Sequence, residues 1–363
     1  MTIERPLVPG RGTRAPPPHG IAPALLRWYD RHARSLPWRA PLGAPPPDPY
    51  RVWLSEVMLQ QTTTAAVIPY FEAFTRRWRC VEALAEAEDG EVMAAWAGLG
   101  YYARARNLLA CARAVAARGG AFPENEAELR VLPGLGAYTA AAVAAIAFGR
   151  RAVVVDGNVE RVVARLFAIA EPLPGARAAI RAAADAITPE ARSGDFAQAM
   201  MDLGATICTP RRPRCLVCPL SAGCAAYLSG DPEAFPVKPA KSAKPARRGR
   251  AFWIERDGAV WLVRRPAAGM LGAMRALPDD GWSARGDGSG VPPLAGVWTS
   301  AGSVAHSFTH FSLTLDLRVY SGTDGVTLPA TDGEWWPIAR LDEAGLPTLF
   351  AKAARLALAE RER

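Results

Sequence analysis

Four cysteines crowd into one short segment near the middle of the chain, with the spacing C-x6-C-x2-C-x5-C: Cys208, Cys215, Cys218 and Cys224. Thiolates this close on one loop can converge on a single soft metal centre, either tetrahedral zinc or a four-iron cluster. The common zinc pattern pairs two short knuckles across a longer gap, which this spacing does not do. The other two cysteines, Cys80 and Cys111, stand alone in helical patterns and are expected to be small core residues.

A glycine-rich turn and an acid form the second pattern. The run Leu132-Pro133-Gly134-Leu135-Gly136 precedes a helix, and its glycines permit positive φ angles and the close approach of another backbone. The amides at the start of such a helix can hold a phosphate. Further along, Asp156 follows three valines just before another helix, where a plain N-cap would also account for it. Turn, acid and cysteine cluster in this order are hard to explain by structural needs alone.

The positive charge of the chain is concentrated in two places. The net charge is +8, and one acid-free stretch holds Lys238, Lys241, Lys244, Arg247, Arg248 and Arg250. Three further guanidiniums lie between the first two cysteines of the cluster: Arg211, Arg212 and Arg214. Both groups suggest a polyanionic partner, with nucleic acid first. A solvated basic linker and charge compensation of the thiolates are the alternatives.

The periodicity of the sequence predicts two domains. Residues 21–228 are dense in Ala, Leu and Arg with apolar residues at helical spacing, as in Ala103–Arg118 and Arg177–Ile187. Residues 229–250 contain little that could pack and read as a linker. Beyond them the pattern predicts strands, a turn at Asp257-Gly258 and a last helix: Ala251–Glu255, Val260–Arg264, Phe311–Tyr320 and Leu349–Glu360. We therefore expect a mostly α N-terminal domain and an α+β C-terminal domain over 251–363.

The cysteine spacing, the L-P-G-x-G turn and the acid together resemble the endonuclease III superfamily of helix-hairpin-helix DNA glycosylases. Longer motifs, nearly continuous over residues 24–228, resemble the adenine DNA glycosylase (MutY) family in particular: 53–62 (WLSEVMLQQT), 98–104 (GLGYYAR), 155–158 (VDGN) and 198–204 (QAMMDLG). The resemblance implies a helix-hairpin-helix glycosylase domain whose loop 208–224 binds a 4Fe–4S iron–sulfur cluster through the four clustered cysteines. It also implies a substrate, adenine mispaired with 8-oxoguanine or guanine in double-stranded DNA.

Two carboxyl groups suit this chemistry. Adenine leaves poorly until its ring is protonated, so the enzyme needs an acid that is neutral near pH 7. Glu56 lies among apolar residues on a predicted helix, where burial raises the pKa of a carboxyl group. We expect it to protonate adenine N7 and then to act as base for water; an exposed helix glutamate is the alternative. Asp156, ionised at a helix start, would stabilise the oxocarbenium-like sugar or attack it transiently.

Tyr138 predicts a monofunctional enzyme. Bifunctional members of the superfamily carry at this position a lysine that forms a Schiff base with the sugar and cleaves the strand. A tyrosine cannot form this bond, so the expected product is an abasic site, with the Tyr138 hydroxyl hydrogen-bonded near the reacting sugar.

The resemblance also implies contacts to DNA, because the target base must leave the stack. It places Gln61 and Tyr101 as wedges in the duplex and Thr62 on the lesion. Arg39, Gln198 and Asn158 are expected to line the adenine pocket, with Asn158 counted among the catalytic residues. Tyr101 and Tyr102 could instead be core aromatics.

Residues 251 to about 360 resemble the Nudix-like C-terminal domain of the family. They lack the glutamate-rich Nudix stretch that holds magnesium, so hydrolase activity is not expected. Phe308-Thr309-His310 resembles the family's F-S-H lesion-reading loop, with threonine in place of serine; here the alternative is that His306 and His310 are ordinary strand residues. A second departure is the segment 269–274, where the family usually has a Trp- and Gly-rich stretch.

These expectations describe a monomeric DNA repair enzyme without a membrane partner, because no apolar run could span a bilayer. Residues 1–20 lack a signal-peptide core and are expected to be a disordered leader. The enzyme would be cytoplasmic, and nucleoid-associated in a bacterium. The alternatives are an endonuclease III-like pyrimidine glycosylase, a thymine–mismatch glycosylase and a non-catalytic iron–sulfur protein that binds DNA or senses redox state. Glu56 and Tyr138 argue against the first two, and Glu56 with Asp156 against the third.

Overall fold

The computed structural model describes residues 20–41, 43–239, 244–266, 270–272, 274–321 and 333–361. Within them the chain forms two compact units. The first comprises the described residues up to Ala87 and 107–239; the second comprises 88–106 and the described residues from Lys244 onward. Residues 1–19 of the expected leader, Lys241 of the basic stretch and parts of the segment 269–274 lie outside the described residues.

Helices dominate the first unit. In chain order the α-helices of the described residues are α1 (Ile21–His32), α2 (Pro49–Leu59), α3 (Thr64–Arg77), α4 (Val81–Ala85), α5 (Asp89–Ala95), α6 (Ala103–Ala116), α7 (Glu126–Leu129), α8 (Ala137–Phe148), α9 (Gly157–Leu166), α10 (Arg177–Ile187), α11 (Ser193–Thr206), α12 (Ala225–Leu228) and α13 (Thr348–Arg361). Of these, α5, α13 and the first residues of α6 belong to the second unit. No described helix has both the length and the apolarity needed to cross a membrane.

The alanine-rich helix α8 lies at the centre of the first unit, with Thr139–Ala147 entirely buried and α2 and α11 packed against it. Two glycines let α11 come unusually near its neighbours. A Cβ on Gly194 would stand 2.4 Å from the Ala145 carbonyl oxygen of α8. A Cβ on Gly204 would stand 2.6 Å from Cβ of Asn158 in α9. At these points α11 packs directly on the neighbouring helices, without a side chain between.

Two sheets and α13 form the second unit. The strands are β1 (Ala246–Trp253), β2 (Glu255–Arg256), β3 (Ala259–Arg264), β4 (Arg275–Ala276), β5 (Trp298–Ser307), β6 (Ser312–Tyr320) and β7 (Gly333–Pro337). In one sheet β6 lies between β1, which is parallel to it, and the antiparallel β5. In the other, β3 pairs antiparallel with β2, β4 and β7. The β2–β3 turn has positive φ at Asp257 and Gly258, as a tight hairpin requires. An α-helical first region and an α+β second region are therefore confirmed.

The predicted linker and one predicted core residue need correction. The sequence assigns 229–250 to a linker, but β1 already begins at Ala246, where its backbone pairs with β6. The first half of this strand is rich in basic residues, and the buried position among residues 246–250 is a glycine, Gly249, packed on the Trp282 ring. At the other end, Phe235 packs against the core of the first unit. Cys80, expected in the core, is exposed at the start of α4, whereas Cys111 is buried.

Candidate active site

Glu56 lies in the buried middle of α2. Only 4% of the residue is exposed, and neighbouring Leu54 and Met58 are fully buried. Burial raises the pKa of Glu56 from 4.5 to about 7, although a hydrogen bond from Tyr138 lowers it; the negative charge of Asp156 raises it further. Loss of hydration is therefore the dominant cause, and much of Glu56 carries a proton at neutral pH.

Tyr138, the second residue of α8, is hydrogen-bonded to Glu56. Its hydroxyl donates a hydrogen bond to Oε2 of Glu56 at 2.6 Å and lies 3.5 Å from Sδ of Met201. Burial raises the pKa of Tyr138 well above its usual value, so the hydroxyl remains a donor. Since Oε2 accepts this hydrogen bond, the proton of neutral Glu56 belongs on Oε1. The sequence predicts Tyr138 beside the sugar, but did not predict this contact with Glu56.

Asp156 caps the N-terminus of α9. Its Oδ1 accepts hydrogen bonds from the backbone N–H groups of Asn158 (2.9 Å) and Val159 (2.7 Å), and its Oδ2 accepts one from Nδ2 of Asn158 (2.9 Å). These donors and the positive end of the helix dipole stabilise a carboxylate. The N-cap role and a role in chemistry are therefore compatible, because the carboxylate also faces a cavity.

Two adjoining cavities bring most of the predicted site residues together. The outer one, of about 920 Å³, is lined by Glu56, Gln61, Thr62, Tyr138, Asp156 and Asn158 together with the glycine-rich turn. The smaller inner one is lined by Glu56, Arg39, Gln198 and Met201, among others. Glu56 is thus shared by both. Arg39 and Gln198 line the inner cavity, whereas Asn158, predicted to share a pocket with them, lines the outer cavity beside Asp156.

A buried acid that sequence analysis left without a role fixes the inner cavity. Asp202 in α11 is completely buried and accepts two hydrogen bonds from Arg39, at 2.7 and 2.9 Å, and one from Nε of Arg34 at 2.6 Å. Burial opposes its ionisation, yet the Arg39 guanidinium holds the pKa of Asp202 below its usual value. The fork geometry orients Arg39 towards the cavity. The one available signal was an acid four residues after Gln198 on the same helix.

The glycine-rich turn and Gln61 have the backbone geometry of exposed contact points. Gly134 has φ +76°, and a Cβ there would stand 2.6 Å from Cβ of Asn107, so both conformation and space require glycine. The following helix, α8, begins after Gly136 without a side-chain cap, which leaves amides of its first turn for another acceptor. Gln61 is exposed and has φ +57°, an uncommon conformation for a residue with a side chain.

The four clustered cysteines are unpaired as thiols and line one cavity together with Arg165. In the part of the chain that the structure describes, no group of three or more His, Cys, Asp or Glu side chains is arranged to hold a single metal ion. The donors are soft sulfur atoms, and a buried cation adjoins them, since Nη1 of Arg165 lies 3.4 Å from Sγ of Cys208. This set of groups suits an anionic metal–thiolate centre.

The remaining predicted residues belong to the second unit. Phe308 begins the turn between β5 and β6, where its ring stacks on Phe311 at 4.7 Å. Thr309 and His310 at the tip are exposed. Tyr101 has φ +48° and is 53% exposed, which excludes its alternative role as a core aromatic. Its hydroxyl lies 3.4 Å from Oγ1 of Thr309. Nζ of Lys244 donates a hydrogen bond to the Phe308 carbonyl at 2.8 Å.

Comparison with known proteins gives two family matches. Residues 54–187 match the HhH-GPD superfamily of base excision DNA repair proteins, and residues 250–356 match a NUDIX domain. The first range contains Glu56, Tyr138 and Asp156. The second contains the turn at Phe308.

Individual relatives cover most of the chain. The adenine DNA glycosylase of Homo sapiens is 33% identical over 92% of this chain and 73% of its own length. That of Buchnera aphidicola subsp. Acyrthosiphon pisum is 34% identical over 66% and 68%. Among solved structures, a thermostable thymine-DNA glycosylase matches with 31% identity and a TM-score of 0.53, over 58% of this chain and 97% of that one. The chain belongs to the adenine DNA glycosylase family and is a DNA glycosylase.

Proposed function

We propose that the enzyme hydrolyses adenine from double-stranded DNA where the base is mispaired with 8-oxoguanine or guanine. The observation that carries the proposal is a buried glutamic acid, Glu56, hydrogen-bonded to Tyr138 and sharing a cavity with the helix-capping carboxylate of Asp156. Two carboxyl groups in unlike environments can serve as acid and as charge stabiliser at the same pH. We further propose that the enzyme works as a monomer, on DNA in the cytoplasm.

In the proposed reaction adenine leaves the stack and enters the inner cavity, where Arg39 and Gln198 contact its polar edge. Glu56 donates its Oε1 proton to N7, and the bond between the sugar and the base breaks as the ring takes the bonding electrons. Asp156 stabilises the oxocarbenium-like sugar, or bonds to it transiently. The ionised Glu56 then takes a proton from water as the water attacks, which leaves an abasic site.

The identity of residue 138 supports a monofunctional reaction. The hydroxyl of Tyr138 is already engaged with Glu56, and it has no amine to attack the sugar. Strand breaks that form without alkali, as fast as the base is released, would contradict this part of the proposal.

Recognition of the opposite base is assigned to two groups of residues. Gln61 and Thr62 line the outer cavity of the first unit. In the second unit Tyr101 lies against Thr309, with Phe308 anchoring the turn and His310 exposed beside it. Aromatic and polar side chains exposed in strained or tight turns suit insertion into a duplex and contact with base edges.

We also propose that Cys208, Cys215, Cys218 and Cys224 bind a 4Fe–4S cluster. When bound, such a cluster would crosslink the loop through four thiolate–iron bonds and supply a redox-active iron centre. The residues present fit it through their sulfur donors and the adjacent guanidinium. The same loop carries Arg211, Arg212 and Arg214, which are proposed to contact phosphates.

One experiment tests the proposal. Single-turnover excision is measured on duplexes with adenine opposite 8-oxoguanine, adenine opposite guanine, and thymine opposite guanine. The thymine duplex is included because a thymine-DNA glycosylase matches over 58% of this chain. We expect cleavage of the two adenine duplexes, its near-complete loss in Glu56→Gln, and no loss in Glu72→Gln, which changes an exposed glutamate of α3. Cleavage of the thymine duplex alone would refute the proposal.

A further inference from the structure

Arg165 is a buried cation beside the cysteine cavity. It lies near the end of α9, is 1% exposed, and lines the same cavity as the four cysteines. A buried charge is strongly unfavourable unless it is paired or fully hydrogen-bonded. The partners of the Arg165 guanidinium therefore indicate which group compensates its charge.

The hydrogen bonds of its guanidinium go to uncharged atoms. Nε donates to the Phe235 carbonyl at 3.0 Å, Nη1 to the Thr209 carbonyl at 2.7 Å, and Nη2 to the Pro210 carbonyl at 3.0 Å. Nη1 also approaches Sγ of Cys208 at 3.4 Å. Among the described residues, no carboxylate forms an ion pair with Arg165. The group in contact with the guanidinium that can carry negative charge is the Cys208 thiol.

The main chain of Arg165 also reaches the cysteine loop. Sγ of Cys224 lies 3.5 Å from the Arg165 carbonyl oxygen, so one residue touches both the first and the last of the four cysteines. The three carbonyl oxygens that its side chain binds fix the backbone directly after Cys208 and the segment at Phe235. Arg165 thus joins α9, the start of the loop and its end.

We infer that Arg165 is a positioning residue for the metal centre. Its charge compensates the negative charge of the metal-bound thiolates, and its fork of N–H groups fixes the loop in the conformation that binds the metal. The inference rests on the proposed iron–sulfur centre. Groups that surround metal ligands typically change metal affinity about 10–100-fold when they are removed.

The test compares the loaded wild-type enzyme with Arg165→Met, Arg165→Lys and a control, Arg151→Met, which removes an arginine paired with Asp185 at the surface. Iron and zinc per chain, the rate of iron loss to a chelator and the reduction potential of the bound cluster are measured. We expect Arg165→Met to lose iron at least about tenfold faster than wild type and the control. Its remaining cluster should have a lower reduction potential, because a nearby positive charge favours the added electron.

Arg165→Lys distinguishes the effect of the positive charge from the effect of the hydrogen-bond geometry of the guanidinium. It also keeps the inference testable if the methionine variant does not fold. A lysine keeps the charge without the fork, so this variant should retain the wild-type potential while losing iron faster than wild type. If both variants retain iron as well as wild type and have its reduction potential, the inference about Arg165 is overturned, whereas the proposed cluster is not. A wild-type enzyme that carries zinc, or no iron, would overturn the proposed cluster and the inference with it.

Discussion

Replacing Glu56 with glutamine should change how the stability of the enzyme depends on pH. The pKa of Glu56 is about 7 in the folded protein, against an ordinary value of 4.5 that applies to the unfolded chain. Between these two pH values the folded protein therefore binds a proton that the unfolded chain does not. A raised folded pKa means that the stabilisation is complete below about pH 4.5 and is lost as the pH rises through about 7. Glutamine is neutral throughout and removes this dependence.

The size of the effect follows from the shift. About 2.5 pKa units at 1.36 kcal/mol each give roughly 3 kcal/mol in the free energy of unfolding over the full window. About 2–3 kcal/mol of this falls between pH 5 and pH 8. For a unit of this size that corresponds to about 5–10 °C in Tm. Because Glu56→Gln also alters the hydrogen bond to Tyr138, only the difference between the two pH values is diagnostic.

The assay is thermal unfolding of the loaded enzyme at pH 5 and pH 8 at equal ionic strength. The Tm of Glu56→Gln relative to wild type should rise from the lower to the higher pH, whereas that of Glu72→Gln should stay constant. If the relative Tm of Glu56→Gln is the same at both values, Glu56 is not protonated by burial, and the assignment of the general acid fails.

Three further predictions concern the same site. The rate of single-turnover excision should fall about tenfold per pH unit above about pH 7, where Glu56 loses its proton. Tyr138→Phe should move this fall to higher pH, because it removes the hydrogen bond that lowers the pKa of Glu56. Excision rates measured between pH 6 and 9 check both outcomes. Asp156→Asn should lose most turnover while its Tm changes little, since asparagine also caps helices; unchanged turnover would contradict its role at the sugar. Gly204→Ala should lower the free energy of unfolding by about 1–3 kcal/mol through overpacking, measured by denaturation against Gly90→Ala, where a Cβ meets nothing within 4 Å.

Local sequence predicted burial, capping and secondary structure correctly where these depend on residues nearby in the chain. Apolar residues on both sides of Glu56 indicated its burial, and a position before a helix indicated that Asp156 caps it. Strand-length apolar runs located β3 and β6. In each case the relevant interactions lie within a few residues, where spacing is informative.

Contacts between distant residues could not be predicted in this way. The pairing of Asp202 with Arg34 and Arg39 joins α11 to the segment after α1, and nothing in either segment identifies the other. The hydrogen bond from Tyr138 to Glu56 depends on how α8 packs on α2. The first half of β1, residues 246–250, was assigned to the linker because its pairing with β6, rather than its own composition, makes it a strand.

The contact of Gly204 with α9 has a consequence for altering base specificity. Helix α11 carries Gln198, which is proposed to contact the base, and Asp202, which binds Arg39, while Asp156 caps the N-terminus of α9. The groups proposed to act on the base and on the sugar therefore lie on helices that approach each other closely at Gly204. Because the contact leaves no room even for a methyl group, we expect a substitution that shifts α11 to displace Asp156 as well. Attempts to redesign the enzyme for another base should therefore start from the segment between α1 and α2, where Leu36 and Trp38 line the inner cavity and belong neither to α9 or α11 nor to α2, which carries Glu56.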